Sequence, residues 1–189
     1  MKFNLPNVLT LLRIALIPVF VVVFYLPYAW APPVSALVFA LAGVTDWFDG
    51  WLARRWNETS AFGAFLDPVA DKLMVIAALV LILQADPRMA MAIPIMIIIG
   101  REITISALRE WMAQLGARKR VAVSWLGKFK TAAQMLSIVF LLYRYPIVRV
   151  PVYEIGVGLL MIAAALTLWS MSLYLLAAWP ELSQDRRMP

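Results

Sequence analysis

The chain has 189 residues, 63% of them apolar, with a mean hydropathy of +0.83 and a net charge of +6. Soluble domains are roughly 45–50% apolar, so this composition points to a membrane protein, and at roughly 20 residues per span it leaves no length for a separate soluble domain. With no Cys and no His, disulfides, thiol nucleophiles and thiolate or imidazole metal sites are excluded, and any acid–base or metal chemistry must use carboxylates.

Six apolar stretches predict six transmembrane helices in one all-α membrane domain covering 1–189. The first is Leu9–Tyr28, followed by Ala31-Pro-Pro33. Ala29-Trp-Ala31 has the form of a signal-peptidase site. Arg13 and Pro18 interrupt the run before it, so this segment is expected to stay in the protein. The second stretch, Pro33–Trp56, ends at a turn over Asn57–Ser60, and the third, Phe62–Gln84, ends at Asp86-Pro-Arg88. Ala90–Leu115, Phe129–Tyr145 and Val152–Trp179 follow, separated by Gly116–Arg120 and Arg144–Pro151.

An even number of spans puts both termini on one side. That side holds 14 of the 17 Lys and Arg residues, and the other holds Arg88, Arg144 and Arg149. Basic loops face the cytoplasm, so both termini are expected there. The positive charge is thereby assigned to membrane lipids and topology. A nucleic-acid partner is not expected, because it needs a water-exposed basic domain.

Four carboxylates, Asp46, Asp49, Asp67 and Asp71, fall within 26 residues of otherwise apolar sequence. Ionisable groups inside spans are expensive and default to function. Asp46 and Asp49 are three apart and Asp67 and Asp71 four apart, so each pair shares a helix face. Gly50, Ala53 and Gly63 put small residues on those faces. Asp49 and Asp67 each lie seven residues from the turn at Asn57–Ser60. At 1.5 Å per residue both are roughly 10 Å from it, so an antiparallel helix pair brings the four groups to one depth.

Four carboxylates stay ionised together only with cations among them. Two bridged divalent ions would neutralise the cluster and suit phosphate chemistry, and oxygen-only ligands favour Mg²⁺ or Mn²⁺. Two other readings stand beside this one. The Asp residues are structural ion-pair partners of Arg54, Arg55 and Lys72, or they form the Na⁺ or H⁺ site of a transporter.

The pattern Asp46-x2-Asp49-Gly50-x2-Ala53-Arg54-x8-Gly63-x3-Asp67-x3-Asp71 resembles the full signature of the CDP-alcohol phosphotransferases. The resemblance implies a six-span fold, usually dimeric, with two metal ions among the four Asp residues. It assigns Asp46, Asp49, Asp67 and Asp71 to metal and Asp71 also to catalysis, as the base for the acceptor hydroxyl. Gly50, Ala53, Arg54 and Gly63 would receive the CDP moiety. Membrane prenyltransferases also use Asp-rich metal sites, but with other motifs in longer chains. Met1–Phe20, Gly100–Glu110 and Val123–Thr131 further resemble the bacterial members whose donor is CDP-diacylglycerol and whose acceptor is glycerol 3-phosphate. This implies phospholipid synthesis at the bacterial inner membrane. Inositol phosphate and serine are the alternative acceptors.

A phosphorylated acceptor needs cations near the metals. Arg109 and Lys128 are the first candidates for its phosphate, with Arg101 and Lys130 next. Arg101 and Arg109, eight apart, share a helix face, and Glu102 starts another. Lys128 and Lys130 sit where the fifth helix begins, so its N-terminal amides add donors. Arg118, Lys119 and Arg120 are read as topology and lipid contacts. Thr10 and Asn7 are possible lining of the nucleotide site, Asn7 equally a helix cap. Trp47 and Trp51 are read as packing residues.

Overall fold

A computed structural model describes residues 5–56, 61–114 and 125–184. Its six helices are α1 (Leu5–Tyr25), α2 (Ala31–Trp56), α3 (Ala61–Ala85), α4 (Met89–Gln114), α5 (Trp125–Tyr143) and α6 (Val152–Gln184), and there is no strand among the described residues. The six expected stretches all appear, with shifted ends. Helix α5 starts at Trp125, a turn before the expected Phe129, because Trp125, Leu126, Gly127 and Lys128 continue the helix ahead of the expected apolar run. Pro32 and Pro33, read as a break, occupy the first turn of α2, where a missing N–H costs nothing. The turn at Asn57–Ser60 and the basic run Arg118, Lys119 and Arg120 lie outside the described residues.

Among the described residues three helices carry windows long and apolar enough to cross a bilayer: Pro68–Ala85, Met89–Leu108 and Val152–Leu173. Among the described residues α1, α2 and α5 contribute shorter apolar lengths, Thr10–Tyr25, Ala31–Thr45 and Phe129–Tyr143. The bundle is apolar on both its inside and its outside, as expected of helices surrounded by lipid. Phe20, Phe39, Leu79, Ile98, Leu142 and Leu160 fill the core, while Leu41, Val80, Met96, Ile103, Ile162 and Trp169 face outward. Ala36, Ala42, Ala70, Ala78, Ala163 and Ala164 are buried among the helices, where small residues let backbones approach without a hydrophobic drive.

Helix α1 packs against both α2 and α3, and α6 packs against α4 and α5. The loops 26–30, 86–88 and 144–151 close one end of the bundle. The Tyr25 hydroxyl donates to Gln84 Oε1, and the Arg144 guanidinium lies 5.3 Å from the Phe24 ring centroid. Tyr28 and Trp30 stack with centroids 5.5 Å apart. Amphipathic rings of this kind collect where a membrane meets water.

At the same end Asp86 ties the loop 86–88 to the first turn of α6. Arg88 donates through Nε and Nη2 to its two carboxylate oxygens at 2.7 and 2.6 Å, and Tyr153 Oη donates to Oδ2 at 2.5 Å. The Arg88 guanidinium holds the Asp86 carboxyl at about 2, below its ordinary 3.8. A depressed carboxylate pKa contributes stability above the unfolded pKa and loses it as pH falls. The stability difference between wild type and Asp86→Asn is therefore expected to hold above pH 4 and to vanish as pH falls from about 4 to about 2. Thermal unfolding in detergent across that range checks it, and a constant difference refutes it.

The loop 144–151 contains a strained residue. Ile147 and Val150 exchange two backbone hydrogen bonds. Between them Val148, 94% exposed, has φ 59°, a region hostile to a β-branched side chain. Val148→Gly is expected to raise stability by about 1 kcal/mol, the scale of the left-handed penalty. A melting temperature that falls would show that the turn is not strained.

Candidate active site

Counting along each helix from the end closed by the three loops shows where the polar residues gather. Asp71 lies fourteen residues before Ala85, Glu102 thirteen after Met89, and Lys130 thirteen before Tyr143. At 1.5 Å per residue all three are roughly 20 Å from that end. Asp46 and Asp49 lie fifteen and eighteen residues into α2, and Asp67 eighteen before the end of α3. Thr10 and Arg13 occupy the same depth on α1, and both are buried. The hydrophobic layer thus borders a polar layer drawn from five helices, α1 to α5.

Asp46, Asp49, Gly50, Ala53 and Arg54 are positions of α2, and Gly63, Asp67 and Asp71 of α3. The two helices touch. Pro68 sits between Asp67 and Asp71. Without an N–H it leaves the Ala64 carbonyl unbonded by the helix ladder and loosens α3 within this layer. The Asp71 side chain is half-buried. The side chains of Asp46, Asp49, Gly50, Ala53, Arg54, Gly63, Asp67, Arg109 and Lys128 lie outside what the structure describes. Among the described residues no group of three or more acidic side chains comes together. The donor set at the four Asp positions is all carboxylate oxygen, which fits a hard divalent cation.

Two of the expected cations are brought together. Arg101, 8% exposed, and Lys130, 2% exposed, both donate to Glu102 Oε1, from Nη1 at 3.0 Å and from Nζ at 2.8 Å. Glu102, which spacing puts on another face than Arg101, reaches both cations through its side chain. Sequence reasoning also passed over Gln134, one turn beyond Lys130 and buried, and Arg13. The signal was there: a charged or amide side chain within an apolar run.

An open apolar groove of about 380 Å³ runs between α2 and α5, lined by Ala40, Gly43, Val44, Met135, Leu136 and Val139. Its upper edge on α2 lies two residues before Asp46.

Among the described residues, six helices, three of them long and apolar enough to cross a membrane, and a polar layer at the depth of the Asp positions define a helical membrane protein. Residues 3–169 match the family CDP-alcohol phosphatidyltransferase, and the chain belongs to that family, whose members generally use divalent metal ions. It is similar to proteins named CDP-diacylglycerol–glycerol-3-phosphate 3-phosphatidyltransferase. That of Salmonella paratyphi A is 57% identical over 182 residues, covering 96% of this chain and 98% of the relative. Those of Pectobacterium atrosepticum and Shigella flexneri serotype 5b are 57% and 55% identical with the same coverage.

Proposed function

We propose that this chain transfers the phosphatidyl group of CDP-diacylglycerol to sn-glycerol 3-phosphate, giving phosphatidylglycerol phosphate and CMP. The observation that carries the choice of acceptor is the buried pair Arg101 and Lys130, at the depth of the Asp71 position. A phosphorylated alcohol needs such cations, whereas serine does not.

In this reading the acceptor hydroxyl oxygen attacks the lipid-side phosphorus of the diphosphate. The bond to the CMP oxygen breaks, and CMP leaves with that electron pair. Asp71 takes the hydroxyl proton, acting as general base. Arg101, Arg109, Lys128 and Lys130 hold the acceptor phosphate and orient the hydroxyl. Gly50, Ala53 and Gly63 leave room for the cytidine nucleotide, and Arg54 reaches its phosphate. Asp46, Asp49, Asp67 and Asp71 would hold two Mg²⁺ or Mn²⁺ ions. When bound, these offset charge on the diphosphate and acidify the hydroxyl. The α2–α5 groove suits an acyl chain of the donor, since it is apolar and runs to the edge of the polar layer.

All six helices cross the bacterial inner membrane as one domain, with both termini and the active site on the cytoplasmic side, where glycerol 3-phosphate is made. The enzyme is a homodimer. The test is transfer from CDP-diacylglycerol to labelled glycerol 3-phosphate by purified protein in detergent, with Mg²⁺ and then with EDTA. Metal-dependent lipid product with stoichiometric CMP is the expected result. Product only with another alcohol changes the acceptor, and no turnover with any alcohol returns the Asp cluster to an ion-transport role.

A further inference from the structure

Helices α4 and α5 both pack on α6, yet among the described residues no Cα of one comes within 8 Å of a Cα of the other. Glu102 bridges that gap. One of its oxygens, Oε1, receives both the Lys130 ammonium from α5 and the Arg101 guanidinium from its own helix. Both cations are almost wholly buried, whereas Glu102 is half-buried.

Two buried cations alone would repel each other, and long side chains with that repulsion take other rotamers. A single carboxylate between them removes most of the repulsion and fixes both heads to one point. Within this triad two charges are positive and one negative, so Glu102 brings the cations together without matching both of them. An apolar residue in place of Glu102 would release the cations from each other.

We propose that Glu102 is a positioning residue for the acceptor, holding Arg101 and Lys130 together across the α4–α5 gap so that they receive a phosphate monoester as a pair. This rests on the reading that Arg101 and Lys130 bind the acceptor phosphate. Glu102 does not itself touch the reacting atoms. Its effect therefore belongs in the acceptor KM and not in the donor KM or kcat.

The test uses the full-length protein in detergent with Mg²⁺, varying glycerol 3-phosphate and CDP-diacylglycerol separately. Glu102→Ala is expected to raise the acceptor KM about tenfold, the low end for losing charged hydrogen bonds, with the donor KM within about twofold. Glu102→Gln keeps an oxygen in place without its charge and is expected to give a smaller rise of about threefold. If Glu102→Ala does not fold, Glu102→Gln decides alone. An unchanged acceptor KM overturns the proposal. So does a parallel rise in both KM values with a lowered melting temperature, which is the mark of a merely structural link. Arg101→Ala and Lys130→Ala run alongside. If these raise the acceptor KM and the Glu102 variants do not, the positioning role falls and the acceptor site stands. If none of the four raises it, the acceptor site falls and the positioning role with it.

Discussion

Asp71→Asn is expected to abolish turnover, by about 10³-fold or more in kcat, within the range for removing a positioned general base. The substitution keeps shape and size and removes only the negative charge and the proton-accepting oxygen. Asp71 is half-buried on α3, and an amide of the same size fills the same space without overpacking. The protein should therefore fold, dissolve in detergent and melt as the wild type does. The measurement is kcat at saturating CDP-diacylglycerol and glycerol 3-phosphate, with a melting curve on the same preparation. Activity within tenfold of wild type would remove Asp71 as base. Loss of activity together with loss of the folded protein would make it a structural residue.

The second large effect concerns stability. Gly156 lies where α6 presses on α5. A Cβ added there would stand 3.1 Å from Leu141 Cγ, 3.1 Å from Phe140 Cβ and 3.2 Å from Leu141 Cδ2. Ser137 Oγ also donates to the Gly156 carbonyl at 2.8 Å in the buried interface. Gly156→Leu would push the helices apart, stretch that bond and displace Leu141, which is itself fully buried. Overpacking on this scale costs about 3 kcal/mol. Gly158, two residues on, provides the control, since a Cβ there meets nothing within 4 Å. Gly158→Leu should leave the melting temperature unchanged or slightly raised, because a helix former replaces glycine. If both variants melt alike, the α5–α6 contact is not as tight as its distances state.

Because α5 and α6 meet so closely, Lys130 on α5 has a fixed backbone from which to reach Glu102. An effect of Gly156→Leu on the acceptor KM, in protein that still folds, would therefore be transmitted through α5.

The sequence by itself determined the class of this protein. Without Cys or His the chemistry was confined to carboxylates. Period and length of the apolar runs located six helices to within a few residues, because a chain in lipid must satisfy its backbone polar groups internally. The proposal for the four Asp positions rests on the same kind of local signal. Spacing of three and four along a helix is a local property, and charge within an apolar run stands out without any knowledge of packing.

The tertiary structure decided what depends on contacts between distant segments. Arg101 and Lys130 are 29 residues apart in the chain, and no periodicity links them. A helical wheel, which puts Glu102 on another face than Arg101, treats side chains as short spokes. A long side chain instead leans toward the helix N-terminus and follows charge, so Glu102 reaches both cations. The same limit applies to Gly156. Its role comes from the approach of α5, which composition cannot reveal, since Gly158 looks identical in the sequence and has open space beside it.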